Sequence, residues 1–142
     1  MFHLKLVTLT GSMFEGDVYE VLLPTLDGQI GILPNHMPLI SVATTGVISV
    51  RKNPHDMDRQ MDHYATYGGV IEFEHNNLRV IVDEADAAEG INEAEAQKAF
   101  ERAKRMHAEA KDQVSLEHAQ ALIDRSAVRL QVANLHRRHR QR

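Results

Sequence analysis

Side chains able to do chemistry are plentiful in this chain, but they do not converge. Its 142 residues include nine histidines and no cysteine. Without thiols, disulfides and zinc–thiolate sites are excluded. Metal capture by imidazoles needs ligands at fixed spacing, as in His-Glu-x-x-His, and no such spacing occurs. His136 and His139 stand three apart, at a strongly basic end where a cation is repelled. No nucleophile is paired with a base, and no Walker-type glycine loop is present. The expectation is no catalytic residue, no metal and no cofactor.

Two stretches remain. The first is a corner in which Pro34 and Pro38 bracket Asn35, His36 and Met37. Each proline fixes its own φ and biases the residue before it toward extended geometry, so the corner is held open. Gly28, Gly31 and Gly46 punctuate the surrounding stretch where unusual dihedrals or close backbone approach are needed. His36 could titrate near neutral pH, but hydrogen bonding that fixes the corner is the favoured reading. The second stretch is basic. Arg125 and Arg129 lie four apart, on one helix face, and Arg137, Arg138, Arg140 and Arg142 follow. That is more positive charge than a helix C-terminus needs to complement its dipole. Clustered guanidinium groups could neutralise nucleic-acid phosphates. The absence of interleaved aromatics and the acidity of the remaining chain count against nucleic acid.

The elements that must position these residues divide the chain in two. Residues 1–90 hold five Lys/Arg against thirteen Asp/Glu, and residues 91–142 hold eleven against seven. Such asymmetry suggests two modules with different partners. Residues 2–9 alternate apolar and polar as a half-buried strand. Gly11 and Ser12 read as a turn and residues 13–16 as a connection. Residues 17–23, the short run Ile30 to Leu33, and then 39–44, 47–51, 63–67, 70–74 and 78–82 read as strands, with Gly46 as a stop. Residues 52–62 read as a mobile loop, and Glu74-His75-Asn76-Asn77 as a hairpin turn. Many short strands with turns between them predict an antiparallel β-sandwich, or flattened barrel.

Beyond residue 86 the period changes. Asn92 can cap a helix, with Glu95 completing the box. Ala96, Ala99, Phe100, Ala103, Met106, His107 and Ala110 mark its face. Residues 111–114 break the pattern, and Ser115 can cap a second helix with Leu116, Ala119, Ile123, Ala127, Leu130 and Leu135 on its face. This predicts an antiparallel two-helix hairpin. An alanine-rich face buries little area, so the hairpin needs a third surface, either the sandwich or a partner. The apolar share is 43%, with no run approaching the roughly 18 residues of a membrane span. The first residues lack the features of a signal or transit peptide, which favours a cytosolic product.

The run Gly28-x-x-Gly31-Ile32-Leu33-Pro34-x-His36-x-Pro38-Leu39, with Gly46 after it, resembles the signature of the epsilon subunits of F-type ATP synthases. Gly68-Gly69-Val70-Ile71-Glu72-Phe73, leading through Asn76-Asn77 to Asp83, fits the same pattern, and the likeness extends over essentially the whole chain. The resemblance implies a sandwich over residues 1–86 that docks to the gamma subunit and the ring of c subunits, and a regulatory hairpin over residues 87–142. It implies a non-enzymatic rotor subunit, peripheral on the cytoplasmic face of a bacterial inner membrane or the stromal face of a thylakoid. Gln29, Ile32, Pro34, His36 and Pro38 would belong to the docking region. Gln29 is neutral where relatives often carry an acid, which weakens charge pairing with the ring. Arg125, Arg129, Arg137 and Arg138 would contact the alpha/beta catalytic head and restrain hydrolysis. Some relatives bind ATP through Ile-Asp-x-x-Arg-Ala and arginines of the second helix. Here Ile91, Asn92, Arg125 and Arg129 stand at those places, with Glu95 where the motif has arginine, so ATP binding is expected to be weak or absent.

Overall fold

The alternation of apolar and polar residues is realised along most of the first 87 residues. A computed structural model describes residues 1–140. Eight strands form in chain order: β1 (Phe2–Thr8), β2 (Gly11–Val18), β3 (Glu20–Thr25), β4 (Gly28–Ile32), β5 (Leu39–Arg51), β6 (Asp62–Glu74), β7 (Asn77–Val82) and β8 (Ala85–Ala87). They join in the order β2-β1-β7-β6-β5-β3-β4, with β8 on β6. All neighbours are antiparallel except β1 and β7. Inward side chains include Leu4 and Leu6 of β1, Val21 and Leu23 of β3, Ile71 and Phe73 of β6, and Leu78 and Val80 of β7. They close one core between the two halves of a β-sandwich.

Three expectations change. Residues 13–16 are not a connection: they belong to β2, which pairs with β1 along its length. Their glycine and charged residues have poor strand propensity, and edge pairing outweighs it. The stretches expected as 39–44 and 47–51 are one strand of 13 residues, β5. Those at 63–67 and 70–74 are likewise one strand, β6. Gly46 is therefore not a stop. A β-carbon there would stand 2.5 Å from Pro24 Cβ, and one at Gly69 would stand 2.2 Å from the Ile81 carbonyl oxygen. Both glycines let strands cross closely while the ladder continues.

Turn chemistry follows the sequence. His75 and Asn76 have φ of 49° and 58°, the positive pair of a tight hairpin turn. The segment expected to be mobile is tied down through Arg51. Its Nε donates to Glu20 at 3.0 Å, its Nη2 to Asp58 at 2.6 Å, and its Nη1 to the Asp56 carbonyl. A 3-10 turn, Asp58–Gln60, forms there.

A second 3-10 turn, Ala88–Gly90, leads to α1 (Glu93–Glu109) and α2 (Gln113–Arg140). Asn92 caps α1, accepting the Glu95 N–H at 3.1 Å. The cap of α2 is Asp112 rather than Ser115, because the Ser115 N–H donates to Asp112 Oδ1 at 2.7 Å. That bond holds the Asp112 carboxyl below its usual range. Buried positions recur at seven-residue steps, Ala96 and Ala103 on α1 and Ala119, Ser126 and Ala133 on α2. Ala127, expected on the buried face, is exposed. Instead α2 carries a second inward face, Val128 and Val132, which packs on Ala65 and Ala88.

Replacing Gly69 with alanine drives a methyl into backbone and should lower unfolding free energy by about 3 kcal/mol or more. Gly90→Ala, with no atom within 4 Å of its β-carbon, should stay within about 0.5 kcal/mol of wild type. Urea denaturation of both variants checks this, and equal effects would remove close approach as the reason for Gly69.

Candidate functional site

The corner is a small built structure. Asn35 adopts φ of 65°, which asparagine tolerates better than most residues. Its N–H donates to Asn76 Oδ1 at 2.7 Å, and Asn76 Nδ2 donates back to Asn35 Oδ1 at 3.0 Å. This amide pair fastens the corner to the β6–β7 turn. His36 donates from Nδ1 to the Met37 carbonyl at 2.8 Å and sets its ring edge-on to Phe73, with centroids 5.8 Å apart. His36 therefore fixes the corner's shape.

The five residues expected to dock do not share one role. Ile32 is fully buried in the sandwich core, so it supports the corner and does not itself reach a partner. Pro34 and His36 are half-buried, Pro38 and Gln29 exposed. Gln29 lines a cleft beneath α2. Met37, not among the residues expected to dock, projects from the corner at 71% exposure.

A larger surface lies on the sheet, outside the residues expected to dock. Val7 pairs with Ile81, Ile81 with Val70 and Val70 with Val42, so four β-branched side chains form one row across β1, β7, β6 and β5. Cross-strand partners share a face of the sheet. Val42, Val70 and Ile81 are all exposed, and Ile40 beside them is 79% exposed. The adjoining row, Glu15, Lys5, Arg79, Glu72 and Ile40, sets a basic pair between two acids. Beyond it His3 bonds Glu15 at 3.1 Å and Asp17 at 3.2 Å, and both acids raise its pKa, Glu15 more. The signal was present in Val70-Ile71 and Val80-Ile81-Val82, where apolar residues occupy both strand faces.

The basic helix face is already occupied. Arg125 grips Glu84 with both terminal nitrogens, at 2.8 and 3.1 Å, and stacks 3.9 Å over the Tyr67 ring. The Tyr67 hydroxyl donates to Asp86 at 2.5 Å. Arg129 Nε lies 3.6 Å from the same carboxylate, an ionic contact too long for a hydrogen bond. Arg125 holds the Glu84 carboxyl below its usual range, chiefly by hydrogen bonding. Burial, then the bond to Asp86, pushes the Tyr67 phenol up, and burial pushes Tyr64 up to about 12. Arg137 joins Glu93 at 3.2 Å, tying the end of α2 to the start of α1. Arg138 is exposed and lines the cleft beneath α2. The side chain of Arg140, that of His139, and Arg142 lie outside the described residues.

The four positions considered for ATP are engaged within the fold. Ile91 packs beside Val128 and Val132, Asn92 caps α1, and Arg125 and Arg129 face Glu84 and Asp86. Among the described residues no group of three or more His, Asp or Glu is placed to hold a metal. No helix among them is long and apolar enough to cross a membrane.

Comparison with known proteins gives a consistent result. The family model described as ATP synthase, Delta/Epsilon chain, beta-sandwich domain matches residues 1–88. Its companion, the long alpha-helix domain of the same chains, matches residues 89–134. The ATP synthase epsilon chain of Lactobacillus delbrueckii subsp. bulgaricus is 34% identical over 135 residues, covering 93% of this chain and 92% of its own. The chloroplastic epsilon chain of Adiantum capillus-veneris is 34% identical over 123 residues, covering 87% and 89%. In fold, the chain is similar to one in the cryo-EM structure of the Euglena gracilis mitochondrial ATP synthase. There the TM-score is 0.79 at 19% identity, over 92% of this chain and 79% of that one.

The Glu84–Arg125 contact gives the hairpin a pH dependence with a definite sign. A carboxyl whose folded pKa is depressed stabilises the docked state above its ordinary value, and this is lost as pH falls through the depressed one. Because Glu84 is 62% exposed, solvent screening limits the contribution to about 1 kcal/mol. The protection of α2 amides, corrected for the intrinsic pH dependence of exchange, should therefore fall at acid pH. Glu84→Gln should raise exchange at neutral pH and flatten the acid step; an unchanged profile would show that the pair does not hold the helix.

Proposed function

The chain belongs to the ATP synthase delta/epsilon chain family, and we propose that it is a non-catalytic rotor subunit of an F-type ATP synthase. It couples rotation of the c-subunit ring to the alpha/beta catalytic head. The sandwich, residues 1–86, binds the gamma subunit and the ring; the hairpin, residues 87–142, restrains ATP hydrolysis. The chain then sits peripherally at the membrane, on the cytoplasmic face in a bacterium or the stromal face of a thylakoid.

The exposed apolar row of Val42, Val70 and Ile81, with Ile40, carries this reading. A contiguous apolar strip flanked by charged rows is what a docking surface requires, and it favours gamma as the occupant. The corner, with Pro34, His36 and Pro38 held rigid and Met37 projecting, suits a second, smaller contact such as the ring. Gln29 is exposed for the same contact, without the charge that would strengthen it.

In this reading the hairpin switches between two packings. Its arginines Arg125, Arg129 and Arg137 here meet the chain's own carboxylates. On extension they would be free for carboxylates of the head, so each packing offers them partners. That occupancy also removes the ground for nucleic-acid binding, since the described arginines of the basic face are largely neutralised within the fold.

Two measurements test this. The matching catalytic head should hydrolyse ATP more slowly with the full chain, and at its free rate with a chain ending at Glu89 that still binds gamma. Introducing charge into the apolar row, as Val42→Asp with Val70→Asp, should weaken gamma binding about 100-fold, because an unpaired carboxylate resists burial. Retained affinity in that variant would move the gamma surface elsewhere, and no gamma affinity in any form would end the rotor reading.

A further inference from the structure

Arg125 and Arg129 lie on the same side of α2, and the sandwich meets them in opposite ways. Arg125 places both terminal nitrogens on Glu84, at 2.8 and 3.1 Å, and lies 3.9 Å over the Tyr67 ring. The Arg129 side chain is only 25% exposed. Its Nε is shut away from water, yet it donates no hydrogen bond among the described residues. The oxygen it faces, Asp86 Oδ2 at 3.6 Å, already accepts the Tyr67 hydroxyl. A buried donor left without a partner costs its full desolvation, and a charge pair repays that cost only with close geometry and complete hydrogen bonding. Asp86 is itself one-third exposed, so water screens its attraction for Arg129. Docking therefore gains at Arg125 and loses at Arg129.

We propose that Arg129 is a release element: its incompletely paired guanidinium opposes docking of α2, against Arg125, which favours it. The inference rests on the two-packing hairpin proposed above and names the side chain that holds its packings close in free energy. A helix face built only to dock would be apolar here, between Val128 and Val132, which pack on Ala65 and Ala88. Tyr67 sets the opposition, because its hydroxyl occupies the oxygen that Arg129 would otherwise reach. Asp86 is not stranded when Arg129 is removed, since it keeps that hydroxyl and its access to water.

The test is amide exchange in the isolated full-length chain at neutral pH. Arg129→Met keeps the length of the side chain and removes its donors; protection of α2 should rise about tenfold, the effect of relieving one buried unpaired donor. Arg125→Met should lower it about tenfold or more. Arg102→Met, at an exposed position of α1, should leave it within about twofold. In a Tyr67→Phe background the Asp86 oxygen is open to Arg129, so adding Arg129→Met should give no rise, a coupling that a double-mutant cycle reads directly. Protection in β1 and β7 reports the fold of each variant. A fall or no change in Arg129→Met overturns the proposal, as does an equal rise with Phe in place of Tyr67. No partner is used, so failure here leaves the rotor reading to stand or fall on gamma affinity.

Discussion

At Gly69 the backbone of β6 runs so close to β7 that a β-carbon would stand 2.2 Å from a carbonyl oxygen, and at Gly46 on β5 one would stand 2.5 Å from the Pro24 ring. The sandwich depends on these two approaches. They let β5 and β6, each 13 residues long, keep their ladder through the place where the sheet turns from one layer into the other. One half of this long pair joins β7 and the edge formed by β1 and β2; the other half joins β3, β4 and β8. The buried faces then meet across a single core, and the exposed apolar row is left on the outer surface of one layer.

The hairpin is held by different means. Alanine and serine at seven-residue steps let the helices approach closely, with small side chains that each bury little apolar area. Docking onto the sandwich rests on Val128, Val132 and the stacked, bidentate Arg125. A module held by a few side chains and by solvent-screened ion pairs is one whose position a modest competing contact can change. The sandwich, with its continuous core, is not adjustable in this way. The continuous core and the lightly held docking contacts thus lie in separate parts of one short chain.

Much of this was legible in the sequence. Alternation identified the inward residues of β1 and β7, Asn76 marked the hairpin turn, and Asn92 marked the start of α1. The glycine and proline pattern located the corner and the family. Illegible features were those decided by pairing at a distance. Residues 13–16 have the composition of a loop and become a strand only because β1 offers an edge. Glycines that permit close crossing look, locally, like glycines that end a strand. The second inward face of α2 was hidden because two faces on one helix blur the period of either. Ile32, named as a contact, turned out to be core, since a strand motif records spacing and not which side meets water. No local pattern pairs Arg125 with Glu84, forty-one residues away.

The parallel pairing of β1 with β7 has a consequence for assembly. His3 lies opposite Asn77, so during synthesis β1 cannot find that neighbour until roughly 70 more residues have been made, and contacts of such sequence separation close slowly. Until then only one of its edges is paired, by the adjacent β2. Helices α1 and α2, whose contacts are mostly local, form quickly but are synthesised after the strands. The slow module thus has a head start during translation, and the fast one arrives when the surface it needs is already in place.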